Sequence, residues 1–453
     1  MAPPSLEVPV VSLPGFQIPL PLERPELATR AMARFACTRS ACPDSCCRDF
    51  GIHFDKPSMS RMLTATAHHA SDHERIVRLV VLGMPLPQAG KTQVVLDENG
   101  SCPMLEKGGD CDLHRRYGEA LLPTVCSVFP RTSLALPDRV EVTGTLACPE
   151  LARLTLLSDD GVHQEETVAS LMPRSYIGKS IPVDSELGDD YSAQFLQVRC
   201  VLRDLLRNNK FPLSSRLVFT AHLAAEVDSF FHRDSDAFRG AKRQFARQRL
   251  TTELSAALSN TLQADLHRDL CAFTAPAEVV VCAVLGLLTE RLRLPHPTRF
   301  AELVASVLAA LGTDSEMAAR LEGTTASQNA ARVLHQQQDD LELRFPGLTD
   351  QILSRYSQHF LLRNPYTDAP SLLHYLGRLS LSLAAIRVLI IGSAKTRPPT
   401  DAKAFAEMSV DVIQIFTKAV SHQADFLAAI HRASELGSGM TFGRLVLFAK
   451  FHG

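Results

Sequence analysis

The sequence predicts a mainly α-helical protein, in which a small mixed, cysteine-rich N-terminal domain precedes a larger all-helical domain. Two observations lead to this fold class. Eight of the 11 cysteines lie at or before Cys148, among short apolar runs separated by glycine and proline, which is typical of strands and turns. From about residue 190 glycine and proline become sparse, and apolar residues recur every three to four positions, which indicates amphipathic helices.

This change in composition and apolar periodicity divides the chain into four segments. The first 25 residues (1–25) form a Pro-rich arm with seven prolines, whose fixed φ and missing backbone donors favour extended chain. We expect a cysteine-cluster metal-binding domain over 26–157, a linker rich in Asp, Glu, Ser and Gly over 158–190, and an all-helical domain over 191–453. A chain of 453 residues is long enough for two or three domains.

Within the N-terminal domain, the elements are short and end at turns that carry the cysteines. Asp55 precedes Lys56-Pro57 at a helix start, where a carboxylate makes a favourable N-cap. The sequence predicts a helix over 25–35, a strand over 50–55, a helix after 57, a helix over 72–84, a β-like run over 92–97, a helix over 112–122 and a β-like run over 140–143.

Helical periodicity covers most of the C-terminal part, with breaks at prolines and glycines. The most apolar stretch, 379–394, contains Arg387 and is short for a membrane span, so we expect a buried core helix. The predicted helices cover 195–205, 217–230, 236–262, 277–292, 298–311, 314–343, 347–363, 370–394, 401–420 and 422–436.

Composition and charge exclude several classes of function. A formal net charge of −2 provides no basic field for nucleic acid, and the absence of Trp argues against a base-stacking surface. The N-terminus lacks a basic segment, a continuous apolar segment and a small-residue cleavage site, so we expect no signal peptide. We therefore expect a cytoplasmic protein with no nucleic-acid and no membrane partner.

The cysteines are the strongest functional signal. Thiols stay reduced in the cytosol, so clustered cysteines there indicate metal or redox chemistry rather than disulfides. Zinc and an iron–sulfur cluster both take four thiolates, and the spacing does not choose between them. About four of the eight are expected to bind the metal, and the others could form a second site or surround the first. The candidate metal ligands are Cys37, Cys42, Cys46, Cys47, Cys102, Cys111, Cys126 and Cys148.

Six motifs surround these cysteines. They are Phe35-Ala-Cys37, Cys42-Pro-Asp-Ser-Cys46-Cys47-Arg-Asp-Phe50, Cys102-Pro-Met-Leu105, Cys111-Asp-Leu-His114, Cys126-Ser-Val-Phe-Pro-Arg131 and Ala147-Cys-Pro-Glu150. In this order, and with Asp55 between the second and third, they resemble the flagellin lysine N-methylase family, over about residues 30–155. That family belongs to a wider cysteine-cluster group described as zinc- or iron-chelating. In the helical part, only 356–364 is similar to the family.

The resemblance implies that a methyl group passes from S-adenosylmethionine to lysine side chains of flagellin, the protein of the bacterial flagellum. It also implies an iron–sulfur cluster, of the 4Fe-4S type, held by some of the cysteines, with zinc as the alternative. Cys42 and Cys46 match the first interval of the Cys-x3-Cys-x2-Cys spacing of radical enzymes, but residue 49 is Asp. The lone Gly437-x-Gly439 follows a helical pattern and is expected to be a helix cap rather than part of a donor-binding motif.

Methylation of lysine requires the neutral amine, which at a reference pKa of about 10.4 is roughly one amine in a few thousand at pH 7. A base, a positive neighbour or burial would increase this fraction. His114 could bind the metal or support a ligand, although an ordinary helix histidine fits equally well. The candidates are Asp49, Asp55 and Glu119 as bases, Tyr356 through the resemblance, and Arg131 and Glu150 for the carboxylate and amino groups of the donor, each with a cap or surface role as the alternative.

A second class of function also fits these residues. In this alternative the protein is a non-catalytic zinc or iron–sulfur binding module that docks a protein partner. A bound metal contributes on the order of 10 kcal/mol to folding, so stabilising the N-terminal domain would be a sufficient role. Colour is an inexpensive test, because a brown protein indicates an iron–sulfur cluster, whereas a colourless protein with zinc favours the non-catalytic module.

Overall fold

The computed structural model describes residues 24–81, 84–85, 91–172, 178–181, 194–230, 242–275, 277–315, 325–420 and 441–451. Helices dominate these residues, which confirms the predicted mainly α fold. Most of the Pro-rich arm, the predicted helix over 422–436 and the Gly437-x-Gly439 motif lie outside them.

The N-terminal half consists of short elements around two small sheets. Its strands are β1 (Glu26–Thr29), β2 (His53–Asp55), β3 (Met84–Pro85), β4 (Lys91–Gln93), β5 (Arg131–Ala135), β6 (Val140–Gly144), β7 (Gln164–Glu166) and β8 (Lys179–Ser180). Its helices are α1 (Arg30–Ala33), α2 (Lys56–Thr66), α3 (Ala70–Val81), α4 (Asp112–Tyr117), α5 (Thr124–Val128) and α6 (Pro149–Leu157).

The larger sheet has the strand order β7-β1-β6-β5-β8. Strands β5 and β6 form an antiparallel hairpin. The β-like run predicted over 140–143 corresponds to β6, whereas β5 was not predicted. Strand β1 pairs parallel with β6 on one side and antiparallel with β7 on the other. Strands β7 and β8 belong to the segment predicted as a linker, 158–190, so the described part of that segment is built into the sheet.

Two predicted helices of this half are corrected. The helix over 25–35 is wrong in its first part, because Glu26–Thr29 form β1, whose partners are more than 100 residues away and leave no local pattern. Only Arg30–Ala33 are helical, and the Thr29 side chain caps them by accepting from the Met32 N–H. The helix over 112–122 ends at Tyr117, because Gly118 has a φ of 72° and reverses the chain.

The smaller sheet, with order β2-β4-β3, supports the cysteine-bearing loops. Helix α2 begins directly after Asp55, whose carboxylate accepts a hydrogen bond of 2.7 Å from the Ser58 N–H, so the predicted N-cap is confirmed. A separate small core, which includes Phe54 and Met62, packs between this sheet, α2 and α3. Four of the cysteines lie in or against this core: Cys47, Cys102, Cys111 and Cys126.

The C-terminal half is helical throughout its described residues, apart from loops and a 3-10 turn. Its helices are α7 (Phe195–Arg207), α8 (Leu213–Phe230), α9 (Lys242–Ala257), α10 (Asn260–Ala272), α11 (Ala277–Leu292), α12 (Thr298–Ala310), α13 (Thr325–Arg344), α14 (Leu348–Arg363), α15 (Leu372–Thr396), α16 (Ala402–Val420) and α17 (Phe442–Lys450).

Helix α15 is the centre of the main hydrophobic core, with α8, α11, α12, α13, α14, α16 and α17 packed against it. Gly392 allows α12 to approach closely, because a Cβ at this position would overlap the Val307 side chain. In the described part of the chain, α15 is the one helix long and apolar enough to cross a membrane, yet 89% of its apolar window is buried by protein. The prediction of a buried core helix is confirmed.

Periodicity predicted most helices of this half, but it missed α17 and most of α10, which extends to Ala272. The single helix expected over 236–262 is two helices where it is described, because Ser259 is extended and starts α10 after α9 ends at Ala257. Ser and Asn favour such helix starts over helix interiors. Helix α17 was not predicted, and residues 316–324 of the helix expected over 314–343 lie outside the described part.

A buried ion pair joins the sheet to the helical half. Glu141 on β6 and Arg199 on α7 form two hydrogen bonds of 2.7 Å, with side chains that are only 1% and 5% exposed. Arg139 also donates to Glu141, at 3.0 Å. Burial alone would raise the pKa of Glu141, but the hydrogen bonds and charges of the two arginines lower it below its usual value. The sheet and α7 are therefore fixed relative to each other.

Candidate active site

Five of the eight predicted ligands line one cavity of about 100 Å³ in the N-terminal half. Cys46 and Cys47 come from the loop before β2, Cys102 and Cys111 from the segment between β4 and α4, and Cys126 from α5. The rest of the wall is mostly apolar, and His114 is the other titratable group on it. We call this space the cysteine cavity.

Backbone pairing brings the cysteine loops together. The Cys102 N–H donates to the Cys47 carbonyl at 2.8 Å, and the Asp49 N–H donates to the Gly100 carbonyl at 2.8 Å. Both Asp49 and Gly100 have left-handed backbone, with φ of 52° and 70°. A Cβ on Gly100 would collide with the Asp49 carboxylate, so this crossing of the two loops requires glycine.

Crowding and burial make these thiols hard to ionise. Burial raises the pKa of Cys102 to about 11, and it also raises the pKa of Cys126. The pKa of Cys47 is raised to about 12, because the hydrogen bond from Cys111, which lowers it, is outweighed by the hydrogen bond with Cys46 and by burial. The hydrogen bond with Cys47 and burial raise the pKa of Cys111.

The other three predicted ligands form a second group. Cys148 is the N-cap residue of α6, and its electrostatic neighbours are Cys42 and Cys37. Burial raises the pKa of Cys148 to about 12. The fold thus divides the eight cysteines into a group of five around the cysteine cavity and a group of three beside α6.

The group of five fits an iron–sulfur cluster in the kind and number of its donors. Such clusters are held by four cysteine thiolates, and the cavity offers five thiols. Coordination by a cation deprotonates a thiol that would otherwise stay neutral. In the described residues, no group of three or more His, Cys, Asp or Glu side chains is arranged to hold a single metal ion. The bound metal and its ligand set stay predictions.

A buried ion pair between distant parts of the chain anchors the loop that carries Cys42 to Cys47. Lys418 on α16 donates to the Asp44 carboxylate at 2.6 Å, and the two side chains are 3% and 8% exposed. Gln414, one turn earlier, donates to the same carboxylate at 2.9 Å and to the Ala147 carbonyl at 2.9 Å. These contacts hold the first cysteine loop and the residue before Cys148 against the same helix.

A larger cavity of about 450 Å³ adjoins the cysteine cavity. The two share Phe50, Val125 and Phe129, and the rings of Phe50 and Phe129 meet edge to face with centroids 5.3 Å apart. Its volume lies in the range of small-molecule sites, roughly 300–1,000 Å³. We call this space the large cavity.

The walls of the large cavity carry several kinds of polar group. The sheet contributes hydroxyl groups, from residues that include Thr132 and Ser133. Lys179 and Asp368 form an ion pair at the edge. Three guanidinium groups complete the lining: Arg131, Arg363 and Arg378. This composition suits a polar ligand that carries a carboxylate.

A third, small cavity of about 40 Å³ shares the lining residues Arg363, Asn364 and Arg378 with the large cavity. Tyr356 and His359 on α14 line it. Burial raises the pKa of Tyr356 to about 12, against the opposing effect of its hydrogen bond with Ser382. Burial lowers the pKa of Arg363 to about 10. We call this space the small cavity.

His359 is neutral and held in one tautomer. Its Nε2 lies 2.9 Å from the Gly144 carbonyl, so Nε2 carries the proton and donates it. Its Nδ1 is buried and has no hydrogen-bond partner among the described residues, so this atom is available to accept a hydrogen bond. Burial lowers the pKa of His359 to about 3.

The pKa of His359 predicts a loss of stability in acid. The folded pKa of about 3 lies below the unfolded value of about 6.5, so the unfolded chain takes up the proton first. The contribution is complete above about pH 6.5 and falls with decreasing pH by up to about 1.4 kcal/mol per unit. We expect His359→Gln to lose less of its unfolding free energy than the unsubstituted protein between pH 7.5 and pH 5.5, in urea titrations. Equal losses in both proteins would contradict the assignment.

The predicted site residues lie in different parts of the structure, and only some of them line a cavity. Arg131 lines the large cavity, and Tyr356 lines the small cavity. Asp55 is engaged as the cap of α2. Glu150 pairs with Arg153 at 2.7 Å.

Asp49 and Glu119 complete the set of predicted bases. Asp49 lies at the crossing of the cysteine loops, and burial raises its pKa. Glu119 begins the 3-10 turn after α4. Neither lines one of the three cavities.

Sequence reasoning missed several residues of the site. Arg363 and His359 belong to 356–364, which the sequence analysis marked as similar to the family, but only Tyr356 was named there. Arg378 lies outside that segment, within a helix predicted from apolar periodicity. Asp44 stands between Cys42 and Cys46, and its position between two cysteines was the one signal for it.

The comparisons with known proteins identify the family. Residues 199–441 match the C-terminal domain of FliB lysine N-methylase, so the expectation that only 356–364 of the helical part resembles the family was wrong. The lysine-N-methylase of Salmonella typhimurium is 29% identical over 139 residues, which are 30% of this chain and 33% of that protein. The lysine-N-methylase of Salmonella choleraesuis matches to the same extent.

The flagellar biosynthetic protein FliU of Salmonella muenchen is 26% identical over 132 residues, 29% of this chain and 76% of that protein. The chain therefore matches about a third of the length of the two methylases. No solved structure matches it. Because the C-terminal domain match spans more than half of the 453 residues, the protein belongs to the FliB lysine N-methylase family.

Proposed function

We propose that this protein is a cytoplasmic lysine N-methyltransferase that transfers a methyl group from S-adenosylmethionine to lysine side chains of flagellin. The family and its named relatives support lysine methylation and a flagellar context. The observation that carries the proposal is the adjacency of the three cavities. The cysteine cavity shares lining residues with the large cavity, and the large cavity shares lining residues with the small one.

The large cavity is the proposed donor site. Its guanidinium groups, which include that of Arg131, can bind the donor's carboxylate in a bidentate manner. The rings of Phe50 and Phe129 offer a surface to the sulfonium cation, which aromatic faces attract by about 0.5–2 kcal/mol. With the sulfonium at these rings, the methyl group would have to point toward the small cavity for transfer to an amine bound there.

The small cavity is the proposed site of the acceptor amine. Burial and the positive charges of Arg363 and Arg378 disfavour an ammonium ion, so they would increase the neutral fraction of the lysine. The Nδ1 of His359 can accept one amine N–H, and Tyr356 supplies a hydroxyl group that stays protonated. Both would orient the nitrogen lone pair rather than remove a proton.

The transfer itself needs little from the protein beyond this alignment. The amine nitrogen attacks the methyl carbon as the carbon–sulfur bond breaks, and S-adenosylhomocysteine leaves. The positive charge moves from sulfur to nitrogen, and the methylated ammonium then releases a proton to water. Holding the two reacting groups in line accounts for much of the rate gain in such displacements.

A 4Fe-4S cluster is the proposed second cofactor. Four of the thiolates of Cys46, Cys47, Cys102, Cys111 and Cys126 would hold it, and when bound it would supply redox-active iron beside the donor site. The group of three beside α6 would then be outside the cluster. His114, on the wall of the same cavity, would support a thiolate by hydrogen bonding.

Arg378 tests the donor and acceptor assignments together, because it lines both cavities. We expect Arg378→Met to lower kcat/KM for methylation by about 100-fold, the scale of loss when reacting groups are misplaced. Arg332→Met removes an exposed guanidinium on α13 and is the matched control. The measurement is transfer of an isotopically labelled methyl group to flagellin lysines. Equal activity of the two variants would contradict the assignment of these cavities.

A further inference from the structure

A fourth cavity lies on the other face of the helix that carries the small-cavity residues. It is an open cleft of about 600 Å³ between α14, the start of α8 and the loop after α6. Gln351, Ser354, Arg355 and Gln358 of α14 line it, whereas Tyr356, His359 and Arg363 of the same helix line the candidate active site. The cleft shares no lining residue with the other three cavities.

Arg216 is a buried cationic side chain of this cleft that is held in place by hydrogen bonds. It is 6% exposed, and its Nη1 is fixed by the Leu206 carbonyl at 2.6 Å and the Ser354 hydroxyl at 2.7 Å. Its Nε is buried without a hydrogen-bond partner among the described residues. The nearby carboxylate, Asp350, is already bound to Arg387. A buried guanidinium with an unused donor and no carboxylate of its own is unusual unless a ligand completes it.

Three other side chains on the cleft also carry positive charge. Arg207 and Lys210 are exposed at its rim, and Arg355 is anchored by the Leu156 carbonyl at 2.8 Å and by Asp159. Four cationic side chains therefore face two carboxylates, Asp159 and Asp350. Burial and then the charge of Arg207 lower the pKa of His163, which also lines the cleft.

Two helix N-termini also border the cleft. Helix α8 begins just after Pro212, and α14 begins just after Gly347; both residues line the cleft. Their first N–H groups are already bound, because the Leu213 N–H donates to the Asp350 carboxylate at 3.4 Å and the Leu348 N–H donates to the Phe345 carbonyl at 3.2 Å. The donors left for an anion are therefore those of the side chains, and the forked donors of the arginines suit a tetrahedral oxyanion.

We propose that this cleft binds a small phosphate-bearing molecule. Its volume lies within the range of small-molecule sites, roughly 300–1,000 Å³, and its excess of positive charge matches a ligand with two or more negative charges. A ligand bound here would contact the opposite face of the helix that orients Tyr356 and His359. The proposal does not depend on the methyltransferase assignment.

The test is calorimetric titration of the full chain with pyrophosphate, in a buffer free of phosphate and sulfate. Arg207→Gln/Lys210→Gln removes two rim charges at exposed positions, so folding should be unaffected. Arg332→Gln/Lys403→Gln removes two exposed charges elsewhere and is the matched control. We expect saturable binding to the unsubstituted protein and to the control, and at least about tenfold weaker binding to the rim variant, since it loses two charge-assisted contacts at the rim.

Three results would overturn the proposal. The first is an absence of pyrophosphate binding. The second is equal binding by the rim variant and the control. The third is loss of binding in Arg378→Met with full binding in the rim variant, which would place the anion in the large cavity. Binding of a glutamate-rich peptide in place of pyrophosphate would instead assign the cleft to an acidic protein partner.

Discussion

Replacing Arg199 by methionine is expected to reduce the free energy of unfolding by about 3–5 kcal/mol, because removing one partner of a buried ion pair leaves the other charge buried. The charge left behind is Glu141, which is 1% exposed. Arg139 still donates to it, but Arg139 is itself 22% exposed and comes from the neighbouring turn. Urea denaturation at pH 7 measures the loss.

Two further variants make this prediction specific. Arg153→Met breaks the more exposed pair with Glu150 and should change the stability by no more than about 1 kcal/mol. Glu141→Leu/Arg199→Met should recover much of the loss, since a buried pair can be replaced by apolar side chains at little cost. A double variant as unstable as Arg199→Met would show that packing, and not the stranded charge, sets the effect.

Serine at Cys111 or Cys126 is expected to remove bound iron and reduce methyl transfer to background. Both thiols line the cysteine cavity, and coordination there would contribute on the order of 10 kcal/mol to the metal-bound fold. Iron and sulfide analysis, visible absorbance and lysine methylation are measured on the same anaerobic preparation.

The control variants separate the two groups of cysteines. Cys200→Ser changes an exposed thiol outside both groups and should leave the iron content unchanged. Cys148→Ser, in the group of three, should also retain the cluster. If Cys148→Ser loses its iron while Cys126→Ser keeps it, the assignment of the cluster ligands to the group of five is wrong.

Local sequence patterns were sufficient for elements that local forces determine. Helix α14 was predicted as 347–363 and is Leu348–Arg363, because its apolar periodicity is strong and Pro346 and Gly347 precede it. The Asp55 cap needs only residues within one turn. Strand β1 was mistaken for a helix because its hydrogen bonds go to β6 and β7, which no nearby residue signals.

In the candidate site, too, the sequence predicts what depends on local motifs and not what depends on contacts between distant residues. The cysteines could be recognised as a set from their number and motifs, but their separation into five and three depends on how the loops cross. The anchor between Asp44 and Lys418 joins residues 374 positions apart. His359 is a candidate because its Nδ1 lies buried on the wall of a cavity, with no hydrogen-bond partner in the part of the chain that the structure describes, and no local sequence pattern signals this.

The central claim is that the cysteine cavity and the two cavities beside it form one methyltransferase site. It is tested most directly by incubating anaerobically purified protein with S-adenosylmethionine and flagellin, and by quantifying methylated lysines by mass spectrometry. Iron content and colour are recorded on the same sample, and a metal-depleted sample is run in parallel. The account predicts a brown, iron-containing protein that methylates flagellin lysines, and no methylation after depletion. A colourless, zinc-containing protein that leaves flagellin unmodified would contradict it and favour the non-catalytic binding module.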